Sequence, residues 1–280
     1  IESVGEDVKK YKRGDRVFVS HHVPCNTCIH CLRGNYSVCD TLRTTNFDPG
    51  GFAEYVRVPK INVDRGVFIL PNEIPFEEGT FIEPLACVIR GQRIAGMKTS
   101  DSLLVIGSGI SGILHIKLAC AIGAGNIFAT DINEYRLKYA LEAGADRAFN
   151  TNILSPERLR KANNGLLADV VIVATGAKSA IENAFEFVER GGTILLFAPP
   201  KPDEVFQIPL YKPWVDGVKI VSSYAASALD ITQAIELLKK HRIVVKDMIT
   251  HRLSLAETGL GFQLVESAKE SLKVIIEPQR

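Results

Sequence analysis

The sequence predicts an α/β protein in which a doubly wound parallel sheet follows a smaller β-rich region. Three observations carry this. Residues 103–112 read Leu-Leu-Val-Ile-Gly-Ser-Gly-Ile-Ser-Gly, an apolar run of strand length that stops at three glycines spaced G-x-G-x-x-G. Strand-like and helix-like stretches then alternate as far as Tyr224. Well ahead of them, Cys25, Cys28, Cys31 and Cys39 fall within one short polar stretch.

Composition sets the outer bounds. A chain of 280 residues that is 46% hydrophobic can bury a large core and fits about two domains. With 33 basic and 32 acidic residues the formal net charge is +1, and no basic stripe is interleaved with aromatics, so nucleic acid is not an expected partner. No apolar run approaches the ~20 residues of a membrane span and no secretory signal is visible, which predicts a cytoplasmic protein without a membrane partner. The sequence opens at Ile1 inside what reads as an extended segment, and residues upstream of it are expected.

Taken in order, Gly14-Asp15 is a turn signal ahead of the alternating residues 16–20, which predicts a short hairpin. The cysteines follow as C-x2-C-x2-C-x7-C. Four thiolates this close wrap one tetrahedral Zn²⁺ and leave no open position, as in structural zinc sites. Disulfides would be crowded at this spacing and lack a secretory context. An iron–sulfur cluster is the other alternative, but the fourth spacing departs from the ferredoxin run. Cys87 and Cys120 sit in apolar helical patterns and are expected in the core. His22 precedes Cys25 by three residues and reads either as a packing residue or as one facing a cleft. Residues 50–58 alternate again before Pro59, so the β-rich region is expected to reach about Leu70. Residues 71–76 read as a loop and residues 77–96 as largely helical. Because proline suits a first helical position, a fresh helix is predicted from Pro84, with Glu83 just before it.

The glycine stretch has a mechanical reading. Gly107 allows a tight turn, Gly109 admits a pyrophosphate, and Gly112 lets the next helix pack on the strand. The helix N-terminus then offers free N–H groups to phosphates, and Ile110 and Ser111 are expected to line the cofactor. A helix over 113–122 leads to a strand over 126–130 ending in Asp131, about 20 residues past the glycines, where a carboxylate accepts hydrogen bonds from an adenosine ribose. Ile132 and Asn133 bring no cation to neutralise a 2′-phosphate, so NAD is predicted over NADP. The alternative role for Asp131 is the N-cap of a helix over 133–143. Residues 144–146 introduce a third strand, and a strand over 169–174 ends at Ala174, Thr175 and Gly176. A helix over 179–190, a strand over 192–198, a sixth strand over 219–224 and a helix over 229–240 follow. The tail, 248–278, reads as shorter strand-like pieces.

A four-cysteine lobe, then a βαβ unit with its glycines and acid, then a returning C-terminal segment resembles the zinc-containing medium-chain alcohol dehydrogenase family over essentially the whole chain. The resemblance implies an incomplete GroES-like catalytic domain from 1–83 and 223–280, and a Rossmann NAD-binding domain over 84–222. Residues 81–87, Phe-Ile-Glu-Pro-Leu-Ala-Cys, are most similar to the sorbitol and polyol dehydrogenase branch. That likeness puts Glu83 where liver-type enzymes carry a cysteine ligand of the catalytic zinc. The threonine dehydrogenase branch is the neighbour, with a histidine at the place of His22. The family further implies that backbone near Ala174, Thr175, Phe197 and Ala198 lies along the cofactor, with Ile132 and Arg136 near its adenosine end.

Two other catalytic-zinc ligands of the family, in Cys-Gly-Ser-Asp-like and Gly-His-Glu stretches, have no counterpart in these 280 residues. The implied reaction in the intact protein is hydride transfer from a secondary alcohol or polyol to NAD, with zinc as Lewis acid lowering the alcohol pKa. The alternatives are a threonine dehydrogenase-like activity and a truncated, non-catalytic NAD-binding protein; residues 1–280 alone are expected to be inactive. A homodimer or homotetramer assembled through residues 198–214 is also implied.

Overall fold

The computed structural model describes residues 1–280. They form two compact units, one of residues 1–86, 225–263 and 274–280, the other of residues 87–224 and 264–273.

In the first unit β1 (Val17–Val19) pairs antiparallel with β2 (Val67–Ile69), Val17 opposite Ile69. The partner of β1 therefore comes from beyond the cysteine loop, and the expected local hairpin does not form. Gly14 does turn the chain, with φ +90° and its N–H donating to the Ile1 carbonyl at 2.9 Å, but it returns the chain to its own start. Helices α1 (Ile29–Leu32) and α2 (Asp40–Thr44) flank the cysteines.

Residues 50–58 are not a strand. One isolated bridge joins Asp48 to Arg57, reinforced by an ion pair at 2.8 Å. Phe52 and Tyr55 are 59% and 67% exposed. Alternation makes a strand only where a neighbouring strand takes up the backbone groups, and here none does. Residues 60–66, expected to extend the β-rich region, are helix α3 (Lys60–Gly66).

A short α4 (Phe76–Gly79) precedes α5 (Ile82–Ala95), which carries the chain from the first unit into the second. Its start differs from expectation by two residues, so Glu83 lies inside the first turn. The first helical bond nearby runs from Leu85 N–H to the Phe81 carbonyl at 2.9 Å. Pro84 thus occupies a place where a backbone donor would have had no acceptor, and the helix begins before it without penalty.

The second unit is a six-stranded parallel sheet of β3 (Leu103–Ile106), β4 (Ile127–Asp131), β5 (Arg147–Asn150), β6 (Ala168–Val173), β7 (Val188–Leu196) and β8 (Lys219–Ser222). The order β5-β4-β3-β6-β7-β8 is that of a doubly wound sheet, reversing between β3 and β6. Helices α6 (Ile110–Ile122), α7 (Glu134–Glu142), α8 (Pro156–Ala162), α9 (Lys178–Phe187) and α10 (Tyr211–Val215) connect the strands. Every residue of β3 is buried, as expected for a central strand covered on both faces. Leu104, Phe128, Val171 and Ile194 pack with Ala180, Ala184 and Phe185 of α9 in one core. Helix α9 ends three residues earlier than its pattern predicts, because Val188 already pairs with Ala168 in the sheet.

Cys87 is half-buried and Cys120 is exposed, so the expectation that both are core residues fails. The Cys120 thiol faces the Gly144 carbonyl at 3.5 Å instead of the sheet.

Beyond the sheet, α11 (Ala228–Lys239) starts at a capping box of Ser227 and Asp230, and β9 (Ile249–Ser254) pairs with β10 (Lys273–Glu277). Between these strands lies α12 (Thr258–Ser267), where strand-like pieces were expected. Gly259 and Gly261 weaken the helical signal. At Gly261 an added Cβ would stand 3.3 Å from Ile276 Cδ1, so glycine there permits close packing on β10. No helix of the chain is long and apolar enough to cross a membrane.

Candidate functional site

At the end of β3, Gly107 turns with φ +95° and donates its N–H to the Thr130 carbonyl at 2.9 Å. A Cβ added to Gly112 would stand 2.0 Å from the Gly107 oxygen, so the first helical turn rests directly on the turn that precedes it. Gly109 has the opposite character. Beside an added Cβ only Arg136 Nη1 comes within 4 Å, at 3.9 Å, so this face of the loop is open. Gly109 is also the N-cap of α6 and no side chain caps that helix, which leaves its first N–H groups, around Ile110 and Ser111, available to an anion. Arg136 Nε is buried without a partner. An open cradle, uncapped N–H groups and an unpaired guanidinium nitrogen together fit a pyrophosphate-bearing cofactor.

Asp131 ends β4 and is 7% exposed. Its Oδ2 accepts from Ser108 N–H at 2.8 Å and its Oδ1 from Asn133 N–H at 2.9 Å. The N-cap of α7 is Asn133, which accepts from Tyr135 N–H, so the capping alternative for Asp131 does not hold. A carboxylate offers about four lone-pair positions, and two bonds leave room for ribose hydroxyls. Ile132, next in sequence, is exposed. Ala174 donates to the Ile106 carbonyl at 2.8 Å, while Phe197 and Ala198 both donate to the Val173 carbonyl at 3.1 Å. Thr175 lies against Gly107, where an added Cβ would be 3.1 Å from its own. The second unit thus gathers Gly107, Gly109, Gly112, Ala174, Thr175, Phe197 and Ala198 at the C-terminal ends of β3, β6 and β7, where ligands bind in such sheets. Sequence reasoning missed Ser108, which joins the loop to β4 twice, its backbone N–H donating to Asp131 and its hydroxyl to the Thr130 carbonyl at 3.1 Å; no motif marks a serine for that role.

In the first unit the sulfurs of Cys25, Cys28, Cys31 and Cys39 all lie within 4.8 Å of one another, with Cys25–Cys31 at 3.9 Å and Cys28–Cys31 at 3.6 Å. A tetrahedral zinc with Zn–S near 2.3 Å separates its sulfurs by about 3.8 Å, so the donor set fits that ion. Cys28 is the N-cap of α1 and Cys39 of α2, which aims both thiols at Cys31 from helix ends. All six cysteines are free of disulfides. Hydrogen bonds from the Thr27 side chain and backbone hold the Cys25 thiol down at about 5. Burial and a hydrogen bond with Cys28 push Cys31 up to about 12. At Cys39 burial raises the pKa, but backbone N–H groups of Cys25 and Leu42 outweigh it. Under the cysteines only Leu42, Tyr36 and Ala225 supply further apolar packing.

Glu83 and His22 also belong to the first unit. The His21 and His22 rings lie against each other with centroids 3.9 Å apart and planes tilted by 39°. Burial and the neighbouring His21 lower the proton affinity of His22, and the Glu83 carboxylate opposes them, which brings His22 and Glu83 into electrostatic reach. Among the described residues the four cysteines form the metal-competent cluster; Glu83 and His22 do not belong to one.

Two family models match this chain: the alcohol dehydrogenase GroES-like domain over residues 1–65 and the zinc-binding dehydrogenase over residues 111–240. The D-altritol 5-dehydrogenase of Agrobacterium fabrum is 31% identical over 280 residues, covering 98% of this chain and 80% of that protein. The L-threonine 3-dehydrogenase of Symbiobacterium thermophilum is 31% identical over 294 residues, covering 99% and 78%. Among solved structures, the alcohol dehydrogenase RspB of Escherichia coli CFT073, in complex with NADH, superimposes with a TM-score of 0.87 at 25% identity, covering 98% of this chain and 80% of that one. A parallel sheet with a dinucleotide cradle, in a chain that also carries four cysteines able to hold zinc, defines a nicotinamide-dependent oxidoreductase. The chain belongs to the zinc-binding medium-chain alcohol dehydrogenase family.

Proposed function

We propose that this protein moves hydride between a secondary alcohol or polyol and NAD. The observation that carries the cofactor assignment is the meeting of the Asp131 carboxylate, the open face of Gly109 and the unpartnered Arg136 Nε around one loop. Gly107, Gly109, Ile110, Ser111, Gly112, Asp131, Ile132, Arg136, Ala174, Thr175, Phe197 and Ala198 would line the cofactor, and Cys25, Cys28, Cys31 and Cys39 would hold the structural zinc. In functional terms residues 84–222 would serve the cofactor, and residues 1–83 with 223–280 the substrate. The polyol class is supported by the Glu83-Pro84 stretch and by the D-altritol dehydrogenase relative. His22 in reach of Glu83 favours a second reading, a threonine dehydrogenase-like activity.

A catalytic zinc takes about three protein ligands and keeps one position open. Of the ligands the family implies, Glu83 alone is present here, so the residues present do not fit that ion by themselves. We propose that a polypeptide of residues 1–280 binds NAD without turnover, and that one carrying the family's further cysteine and histidine stretches turns over. The test follows NADH formation from polyols, threonine and simple alcohols with zinc supplied, for both polypeptides. Polyol oxidation by the second alone is expected. Zinc-dependent turnover by residues 1–280 would show that the metal site is misplaced, and a threonine preference would transfer the assignment to the second reading.

Residues 198–214 are proposed as the contact of a homodimer or homotetramer. They lead into β8, an edge strand, and leave Tyr211 and Trp214 79% and 80% exposed with Val205 and Leu210 beside them in sequence. Light scattering should give a multiple of the chain mass that Trp214→Asp reduces; a monomeric unmodified protein would refute the contact. Six free cysteines suit a reducing compartment, which supports a cytoplasmic location.

A further inference from the structure

Asn62 lies in α3 with none of its surface exposed. Its Nδ2 donates to the carbonyl of Ser20 at 3.0 Å and to that of His21 at 2.9 Å. Both partners only accept, so the orientation of the amide is set by its chemistry, with the NH₂ toward the two carbonyls. Oδ1 is buried without a partner, an unfavourable state for an acceptor. What the carboxamide contributes is therefore its pair of donors on two successive carbonyls.

The same run of chain is tied from other sides. Ser20 N–H donates to the Gly66 carbonyl at 2.8 Å, Ser20 Oγ to the His22 carbonyl at 2.8 Å, and Val23 N–H to Thr45 Oγ1 at 3.0 Å. An added Cβ on Gly66 would stand 2.6 Å from Val23 Cγ1 and 3.1 Å from the Ser20 oxygen, so the end of α3 rests on the run with no space between. The two imidazoles that this run presents lie against each other, centroids 3.9 Å apart and planes tilted by 39°, and His21 meets the Phe47 ring edge-on at 6.2 Å.

We infer that Asn62 is a positioning residue: by clamping the carbonyls of Ser20 and His21 it sets where the His22 imidazole stands against the His21 ring. Its importance for turnover rests on the dehydrogenase reading above; the clamp itself does not. Backbone held at two adjacent carbonyls has little freedom to rotate the intervening residue, and His22 follows that residue directly. Loss of the clamp would let the ring pair leave its place without opening the rest of the unit.

The test is NMR of the chain labelled at its six histidines. In the unmodified protein the His21 and His22 ring signals are expected to be displaced from those of the exposed His30 and His241 by each other's ring current. Asn62→Ala should abolish that displacement, while the buried His115 signal, the zinc content and the NAD affinity stay as they were. Gly66→Ala, which leaves the amide intact and pushes the run from the other end of α3, should move the same two signals. Unchanged His21 and His22 signals in Asn62→Ala, with only a lower melting temperature, would overturn the proposal. Should Asn62→Ala or Gly66→Ala fail to fold, Asn62→Asp keeps the size of the side chain and removes both of its donors to the Ser20 and His21 carbonyls; unmoved signals there would overturn it equally. Failure of the dehydrogenase reading would appear as absent NAD binding and leave the ring signals untouched.

Discussion

Cys28→Ser is expected to reduce the zinc content from about one ion per chain to nearly none and to unfold the lobe around residues 25–44. Without the metal the lobe has little to hold it: α1 and α2 span four and five residues, and the shared apolar packing is Leu42, Tyr36 and Ala225 around the cysteines themselves. Helices this short are not stable alone. Structural zinc contributes roughly 10–16 kcal/mol of apparent binding free energy in small zinc-binding peptides, and much of it is folding free energy. A lost thiolate ligand removes several kcal/mol of that, more than the local core supplies. Hydrogen exchange should show the lobe losing protection while β3–β8 keep theirs, because the sheet core of Leu104, Phe128, Val171 and Ile194 lies in the other unit. A lobe that stays protected and retains one zinc after Cys28→Ser would contradict this assignment.

Asp131→Asn is expected to erase most of the preference for NAD over NADP. A 2′-phosphate beside an ionised Asp131 places like charges together in a site that is 7% exposed, which costs on the order of 3 kcal/mol, about a hundredfold in affinity. Asparagine keeps an acceptor for one of the two backbone N–H groups, from Ser108 and Asn133, and removes the charge. Asp131→Gly would remove both bonds as well and loosen the loop, confusing two effects. With the charge gone, the cation of Arg136 beside Gly109 remains to attract phosphate. NADP should therefore gain and NAD lose modestly.

The second unit was largely legible from residues 103–131 onward, for a physical reason. Parallel strands buried on both faces read as uninterrupted apolar runs, and the turn after β3 tolerates only glycine at positions 107 and 112, so the pattern is written in the residues themselves. The four-cysteine cluster was legible because its members are close in sequence. The first unit was much less so. β1 finds its partner beyond the cysteines, and local alternation cannot report that pairing. At residues 50–58 alternation was present and no partner was, which produced a false strand. α12 was obscured by Gly259 and Gly261, of which Gly261 permits close packing on β10. The start of α5 was misread because proline is equally acceptable one or two residues inside a first turn. Asn62 carries no motif at all, since its role appears only once α3 is laid against residues 20–23.

Titration calorimetry of the unmodified chain with NAD and then NADP decides whether the loop from Gly107 to Gly112 together with Asp131 forms an NAD site. One NAD per chain is predicted, bound on the order of a hundredfold more tightly than NADP. Equal or tighter binding of NADP, or no binding of either nucleotide, would show that no such NAD site exists.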